Sequence, residues 1–452
     1  MLYRLHELHR SFLDPMAQLS GVLANVLRDP RSPYSKLPFA RAASANHAVV
    51  HRLAKRYEKP PFGIDRVMAH GRDVHVAEHV VLSEPFCELV RFARSSDDPV
   101  VAAKLRRDPK VLLCAPLSGH HATLLRDTVR ALAKDHDVYI TDWVDARDVP
   151  VTVGAFHLDD YVHTVQRYIR TLGTKDLHVI AVCQPTVPAL GAIALMAQAG
   201  EDTPRTLTLM GGPIDARRNP TEVDELATKH DLAWFEKKLI HEVPSAFAGA
   251  GRRVYPGFLQ LIAFVSMNPK RHAKAHWDYW FSAMKGASGE GGRAQHERFY
   301  DDYNAVLDMD AAYYLDTVKT VFQELSLARG TWDVDGERVR PEAIRQTALL
   351  TIEGELDDVC GIGQSEAAQG LCYGIPSEKK RHHLAKGCGH YGLFSGSKWR
   401  DQICPLIAGF VREHDANAQS SWSGSRRETD GETAQVGSVT PPSEVSNERR
   451  EA

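Results

Sequence analysis

The chemistry this chain could perform begins with its cysteines. There are seven, Cys87, Cys114, Cys183, Cys360, Cys372, Cys388 and Cys404, scattered and odd in number, with no C-x-x-C pair. That pattern argues against both a disulfide framework and a zinc ribbon, and most of them are expected to serve as small buried hydrophobes. Cys183 stands apart because of what surrounds it. It follows the apolar run Leu177-His-Val-Ile-Ala-Val182 and precedes a helical pattern that continues to Met196. A strand, one nucleophilic residue and a helix form a nucleophile elbow, in which the reactive residue sits in a strained turn and the residues two places away must be small or restricted in φ. Ala181 and Pro185 meet that condition. The following helix would point its N-terminus at Cys183, favouring a thiolate and a developing oxyanion. A free thiol with a pKa of about 8.5 needs such help, or a neighbouring imidazole, to react well at neutral pH.

The serine form of the motif, G-x-S-x-G, is absent. A literal G-x-C-x-G occurs at Gly370-Leu-Cys372-Tyr-Gly374, but the preceding Gln364–Gln369 reads as a helix, so no strand feeds that turn and Cys372 is expected to be structural. An acid and a base should follow the nucleophile in that order. Ala348-Leu-Leu-Thr-Ile-Glu-Gly-Glu-Leu-Asp357-Asp358 puts carboxylates just past a late strand, with Asp357 the first choice and Asp358 its competitor. Gly387-Cys-Gly-His390-Tyr-Gly puts an imidazole on a loop that glycines leave free to bend over a sheet edge. Oxyanion donors should be the backbone N–H of Gln184 and one from the loop Pro116-Leu-Ser118-Gly119-His120-His121, with Ser118 preferred. Adjacent histidines point apart in extended chain, and no carboxylate supports His120 and His121, so no metal is expected.

The elements that must hold these residues are readable from periodicity. Lys110–Pro116, Val138–Thr141, Leu177–Val182, Thr206–Met210 and Ala348–Ile352 are apolar strand candidates, alternating with amphipathic helices such as Leu158–Leu172, which is ended by Gly173. The alternation predicts an α/β, doubly wound, mainly parallel sheet. Residues 1–65 read as an N-terminal helical extension, 66–215 and 346–414 as the core, 216–345 as a helical, aromatic-rich insertion acting as a lid, and 415–452 as a disordered tail with almost no core formers. The charge balance of 55 Lys+Arg against 58 Asp+Glu gives no field for nucleic acid or an anionic membrane. No apolar run is long enough to span a bilayer, and the polar N-terminus has no secretory pattern, so a cytoplasmic protein is expected.

The opening Met1-Leu-Tyr-Arg-Leu-His-Glu-Leu, the block Pro116-Leu-Ser-Gly-His-His-Ala-Thr-Leu-Leu-Arg126, Val-Cys183-Gln-Pro, Glu-Gly-Glu-Leu-Asp357-Asp and Gly-Cys-Gly-His390-Tyr-Gly-Leu-Phe resemble the intracellular poly(3-hydroxybutyrate) depolymerases over about residues 1–414. The resemblance implies an α/β-hydrolase with a Cys183-Asp357-His390 triad and no cofactor. It also implies amorphous polyester storage granules as substrate, with the protein on the granule surface. Coenzyme A as an accepting thiol and self-association into a homo-oligomer are left open. Trp277, Trp280 and Tyr300 of the insertion are expected to give an uncharged polymer apolar area, as are Phe281, Tyr313 and Tyr314. The alternatives are a polyester synthase-like acyltransferase, which the lack of a glycine-bracketed elbow cysteine argues against, and a granule-binding protein without catalysis. A lipase- or thioesterase-like enzyme for small acyl esters is a further one.

Overall fold

A computed structural model describes residues 2–415; the tail expected over 415–452 lies, apart from Asp415, outside the described residues. Nine strands form one sheet: β1 (Arg66–Ala69), β2 (Arg72–Ser83), β3 (Cys87–Ser95), β4 (Lys110–Cys114), β5 (Asp137–Trp143), β6 (Leu177–Val182), β7 (Thr206–Met210), β8 (Ala348–Gly354) and β9 (Lys380–Ala385). Their order across the sheet is β1-β2-β3-β5-β4-β6-β7-β8-β9. The first three strands run antiparallel to their neighbours, and every pairing from β5 to β9 is parallel. β5, β6, β7 and β8 are buried at every position, as expected of parallel strands covered on both faces.

Helices cover both faces. α1 (Leu2–Arg28) and α2 (Ala40–Ala54) form an N-terminal hairpin, and α3 (Pro99–Leu105), α4 (Arg126–Leu132), α5 (Leu158–Leu172) and α6 (Thr186–Gln198) connect the strands. α5 buries Leu158, Tyr161, Val162, Val165, Ile169 and Leu172 on one side, starts in a reciprocal cap between His157 and Asp160, and stops at Gly173 with φ 73°. α6 is apolar all round and is buried from Thr186 to Met196 between sheet and neighbours. This strand order, with a tight turn between β6 and α6, is that of the α/β-hydrolase fold.

Between β7 and β8 lie α7 (Glu222–Lys229), α8 (Leu232–Leu239), α9 (Gly257–Met267), α10 (Pro269–Met284), α11 (Glu290–Asn304) and α12 (Ala311–Thr317), which runs on into a π-turn at Val318–Gln323. The stretch read from sequence as helical also contains a small antiparallel sheet of His241–Glu242, Arg253–Tyr255 and Met309–Asp310. Segments of two or three residues are too short to leave a period-2 signal. Arg252 ties this sheet to the core: it is buried, pairs with Asp310 at 2.6 Å, and donates to the carbonyls of Val149, Pro150 and Gly154. α1 is anchored through the hydroxyl of Tyr3, which donates to Asp308 at 2.6 Å. Its outer face leaves Leu5, Leu8, Phe12, Met16, Leu19 and Val22 exposed. Among the described residues no helix is long and apolar enough to cross a membrane.

Candidate active site

Strand order reverses at β4, with β5 on one side and β6 on the other, and a crevice opens at the carboxyl ends of strands at such a switch point. Cys183 lies there, immediately after β6, with φ 68°. A non-glycine residue held in the left-handed region is strained and persists only where its surroundings fix it. Here the Cys183 N–H donates to the Met210 carbonyl at 2.7 Å, and the Cys183 carbonyl accepts from the N–H and hydroxyl of Thr186 at 3.1 and 2.9 Å. Gly212 completes the fit, since a Cβ there would collide with Thr186 and the Cys183 carbonyl. Cys183 is half-buried, whereas the other six cysteines are buried. Burial pushes the thiols of Cys114, Cys372 and Cys404 up to about 12 and raises those of Cys87, Cys360 and Cys388 as well, leaving all six protonated at neutral pH.

Asp357 and His390 are brought together. Asp357 follows β8, has no side-chain exposure, and accepts the His390 Nδ1–H at 2.8 Å on one oxygen. Its other oxygen accepts the amides of Val359 and Cys360, each at 2.9 Å. Because a carboxylate can only accept, Nδ1 carries a proton in either charge state of the ring, and Nε2 is the nitrogen left to exchange a proton with Cys183. Burial opposes a charged imidazole, but the Asp357 carboxylate and, beyond it, the Cys183 sulfur outweigh burial and hold His390 well above its ordinary pKa. Asp358, the competing acid, instead accepts from Asn268 at the surface. Gly211 sits beneath the pair: a Cβ there would press on Leu393 and come within 3.5 Å of both Asp357 and His390. The sequence reading did not single out Gly211 or Gly212, although a double glycine directly after a strand was a usable signal.

On the other side of Cys183, the Gln184 side chain accepts from the Leu117 amide at 3.4 Å and so ties the elbow to the loop after β4. Among the described residues no hydrogen bond takes up the backbone N–H of Gln184 or of Ser118. Ser118, His120, Cys183, Gln184 and His390 all line one cavity of about 210 Å³. The rest of its wall is mainly apolar and comes largely from the insertion and the loops after β4, β7, β8 and β9, with Phe235, Phe264, Tyr313, Tyr314, Tyr391 and Phe394 among its residues and Gln260 and Thr317 as polar exceptions. No group of His, Cys, Asp and Glu able to hold a metal ion occurs among the described residues. Burial lowers the pKa of His120 to about 4 and that of His121 to about 3, so both are neutral.

Three aromatic residues expected to meet substrate lie elsewhere. Trp277 is exposed and stacks on Trp280, whose indole N–H donates to Asn46 of α2. Tyr300 is buried inside the insertion, its hydroxyl 2.9 Å from His272. None of the three lines the cavity. The physical reason differs for each: Trp280 is drawn to the α1–α2 hairpin by Asn46, Trp277 stacks on it facing solvent, and Tyr300 of α11 packs against His272 within the insertion. Tyr313 and Tyr314 do line it, and Tyr391, Gln260 and Phe264 join them without any local sequence signal.

Residues 211–415 match the family described as PHB de-polymerase C-terminus. That segment carries Asp357 and His390 but not Cys183. No curated protein sequence matches the chain. Among solved structures it is similar to a meta-cleavage product hydrolase from Pseudomonas fluorescens IP01, with 16% identity, 77% of this chain and 97% of that one covered, and a TM-score of 0.37. It is similar too to the 2-hydroxy-6-oxo-6-phenylhexa-2,4-dienoate hydrolase of Rhodococcus sp. strain RHA1, with 13% identity, coverage of 75% and 99%, and a TM-score of 0.39. A thioesterase domain from the curacin biosynthetic pathway matches with 12% identity, coverage of 74% and 99%, and a TM-score of 0.39.

Proposed function

We propose that this protein is a polyester depolymerase that cleaves poly(3-hydroxyalkanoate) through a Cys183 acyl-enzyme. The observation that carries the reading is a cysteine at φ 68° after β6, beside an imidazole bonded to a buried carboxylate at 2.8 Å, on an apolar cavity. The match of residues 211–415 to a PHB de-polymerase family supports the substrate class. In the mechanism, His390 Nε2 takes the Cys183 proton, and the thiolate attacks an ester carbonyl of the polymer. The Gln184 and Ser118 amides stabilise the tetrahedral oxyanion, and Asp357 orients His390 and balances its positive form. The alkoxide of the departing chain leaves with the proton from His390. Water activated by the same imidazole then hydrolyses the thioester and frees the hydroxy acid. A thioester is also open to a thiol such as coenzyme A, which would release an acyl thioester instead.

Association with the polymer granule would use the exposed face of α1. Leu5, Leu8, Phe12, Met16, Leu19 and Val22 are uncharged and recur three or four residues apart, the spacing of one helix face. The exposed Trp277 and Phe281 on α10 add aromatic area to this end of the molecule.

The test is release of 3-hydroxybutyrate from amorphous polymer granules by the wild type, Cys183→Ala and the decoy Cys372→Ala. Release by the wild type and Cys372→Ala but not by Cys183→Ala is expected. Wild-type protein that binds granules and releases nothing would replace the reading with a binding role. Net polymer synthesis from hydroxyacyl thioesters would replace it with a synthase.

A further inference from the structure

The two amides assigned to the oxyanion hole belong to different segments, and one side chain joins those segments. The Gln184 N–H is fixed by the elbow, because Cys183 is locked at φ 68° between the Met210 carbonyl and Thr186. The Ser118 N–H sits on the loop after β4, which is held firmly at its two ends. At one end the Ala115 N–H donates to Thr141 Oγ1 at 2.8 Å, and the Ala115 carbonyl accepts from the Trp143 indole at 2.9 Å and the Tyr161 hydroxyl at 3.1 Å. At the other end the Gly119 carbonyl accepts from the Leu307 N–H at 2.8 Å. Between them Pro116 has no N–H to offer, and the N–H of buried Leu117 donates to Gln184 Oε1 at 3.4 Å. Among the described residues nothing else takes up that amide. On its far side the carboxamide meets the buried Tyr313 hydroxyl, itself beside Thr317, but Gln184 Nε2 makes no hydrogen bond of full geometry there.

We infer that the Gln184 side chain is the positioning residue of the oxyanion hole, a strut that sets the Ser118 N–H at a fixed separation from the N–H of Gln184 itself. The inference rests on the depolymerase reading and deepens it. Donors stabilise a tetrahedral oxyanion because they are placed in advance and need no rearrangement as charge develops. Without the Gln184 oxygen the buried Leu117 N–H loses its partner, and an orphaned buried amide is costly enough to turn the chain toward another acceptor. The Ser118 amide, on the next peptide, would turn with it. Glutamine suits the task because its oxygen accepts without bringing a charge; a glutamate would accept too, but would set a negative group beside the developing oxyanion. The long bond of 3.4 Å fits a resting site, since catalytic hydrogen bonds tighten when substrate is bound, and the loose contact with Tyr313 leaves the carboxamide room to follow. The strut serves carbonyl chemistry alone. A reaction at the Cys183 sulfur that develops no oxyanion does not depend on it.

The experiment makes three measurements on wild type and Gln184→Met, which keeps the length of the side chain and removes its acceptor. The first is kcat/KM for the methyl ester of the 3-hydroxybutyrate dimer. The second is inhibition by a trifluoromethyl ketone of similar shape: the Cys183 thiolate adds to its carbonyl carbon, and the carbonyl electron pair moves onto oxygen as a stable oxyanion. The third is the rate at which iodoacetamide alkylates Cys183, read by the mass of the Cys183 peptide; there the sulfur displaces iodide and no oxyanion forms. Losing an oxyanion donor outright costs about 10²- to 10³-fold, so a displaced one is expected to lower kcat/KM and ketone affinity together by at least about tenfold, with alkylation unchanged within about twofold. Gln184→Ala, which adds no bulk, is read in the same way and covers the case in which a thermal melt shows the methionine variant unfolded. A kcat/KM close to wild type would overturn the inference, as would ketone affinity retained while turnover falls, or alkylation slowed in step with turnover, which would mean a distorted elbow. In each of these cases the esterase reading stands on the turnover of the wild type. A wild type that turns over no ester would overturn that reading, and this inference with it.

Discussion

Asp357→Asn isolates the part of the site that depends most on geometry. An asparagine oxygen can still accept the amides of Val359 and Cys360, now bonded at 2.9 Å, so the loop after β8 should keep its shape. The other end of the side chain becomes an NH₂ facing His390 Nδ1. The imidazole must then accept there, carry its proton on Nε2, and present a donor to Cys183 where an acceptor is needed. Without a base, a thiol of pKa about 8.5 is roughly 3% ionised at pH 7, which alone costs about 30-fold. Loss of the imidazolium as proton donor to the leaving alkoxide, a neutral imidazole N–H being a far weaker acid, adds about 10²-fold or more. Together these predict a fall in kcat/KM of at least about 10³-fold at pH 7. The thiol offers a signature that a hydroxyl nucleophile would not. Between pH 7 and 8 its ionised fraction rises about eightfold, so the variant should regain activity by that factor while the wild type, with an internal base, changes little. The assay is kcat/KM on a soluble 3-hydroxybutyrate ester from pH 6 to 9, with a thermal melt to show that the variant is folded. A folded variant within threefold of wild type at pH 7, or one whose profile parallels wild type, would refute the assigned role of Asp357.

Gly212→Ala should remove activity and lower the melting temperature, because the new methyl group overlaps Thr186 and the Cys183 carbonyl under the elbow; a melt unchanged from wild type would contradict that packing. His120, His121 and His178 are buried, with pKa values lowered to about 4, 3 and 3 against an unfolded value near 6.5. The unfolded chain therefore binds their protons first, so stability is intact above about pH 6.5 and falls as pH drops toward the folded values, by up to about 1.4 kcal/mol per pH unit for each histidine. Urea midpoints should be clearly lower at pH 5 than at pH 7.5, and equal midpoints would rule the account out. Phe12→Glu with Leu19→Glu should abolish co-sedimentation with polymer granules, because each puts a charge on an exposed apolar face. Retained co-sedimentation would move the granule contact away from α1.

What the sequence disclosed and what it hid divide by distance along the chain. The elbow was readable because strand, turn and helix are contiguous, and Leu177–Val182 and Thr206–Met210 were found with the boundaries seen in the fold. Strands β1 to β3 and β9 were missed, since antiparallel and edge strands can carry charge: β9 reads Lys-Arg-His-His-Leu-Ala. Asp357 and Asp358 could be ranked but not separated by pattern, because the difference lies in which carboxylate meets the imidazole and two amides. The cavity wall was hidden most deeply. Aromatic richness marked the insertion as apolar without saying which faces would meet the sheet. In the fold Trp280 answers to Asn46, 234 residues away, because the α1–α2 hairpin occupies that side. Gln260 fits the loop after β4 only because Gly119, distant in sequence, lacks a side chain. Catalytic groups are bound to local turn chemistry and leave local marks, whereas a substrate wall is assembled from side chains whose only common property is their final position. The triad could therefore be proposed from motifs, while the wall beside it, with the Gln260 carboxamide seated over Gly119, became visible only in the fold.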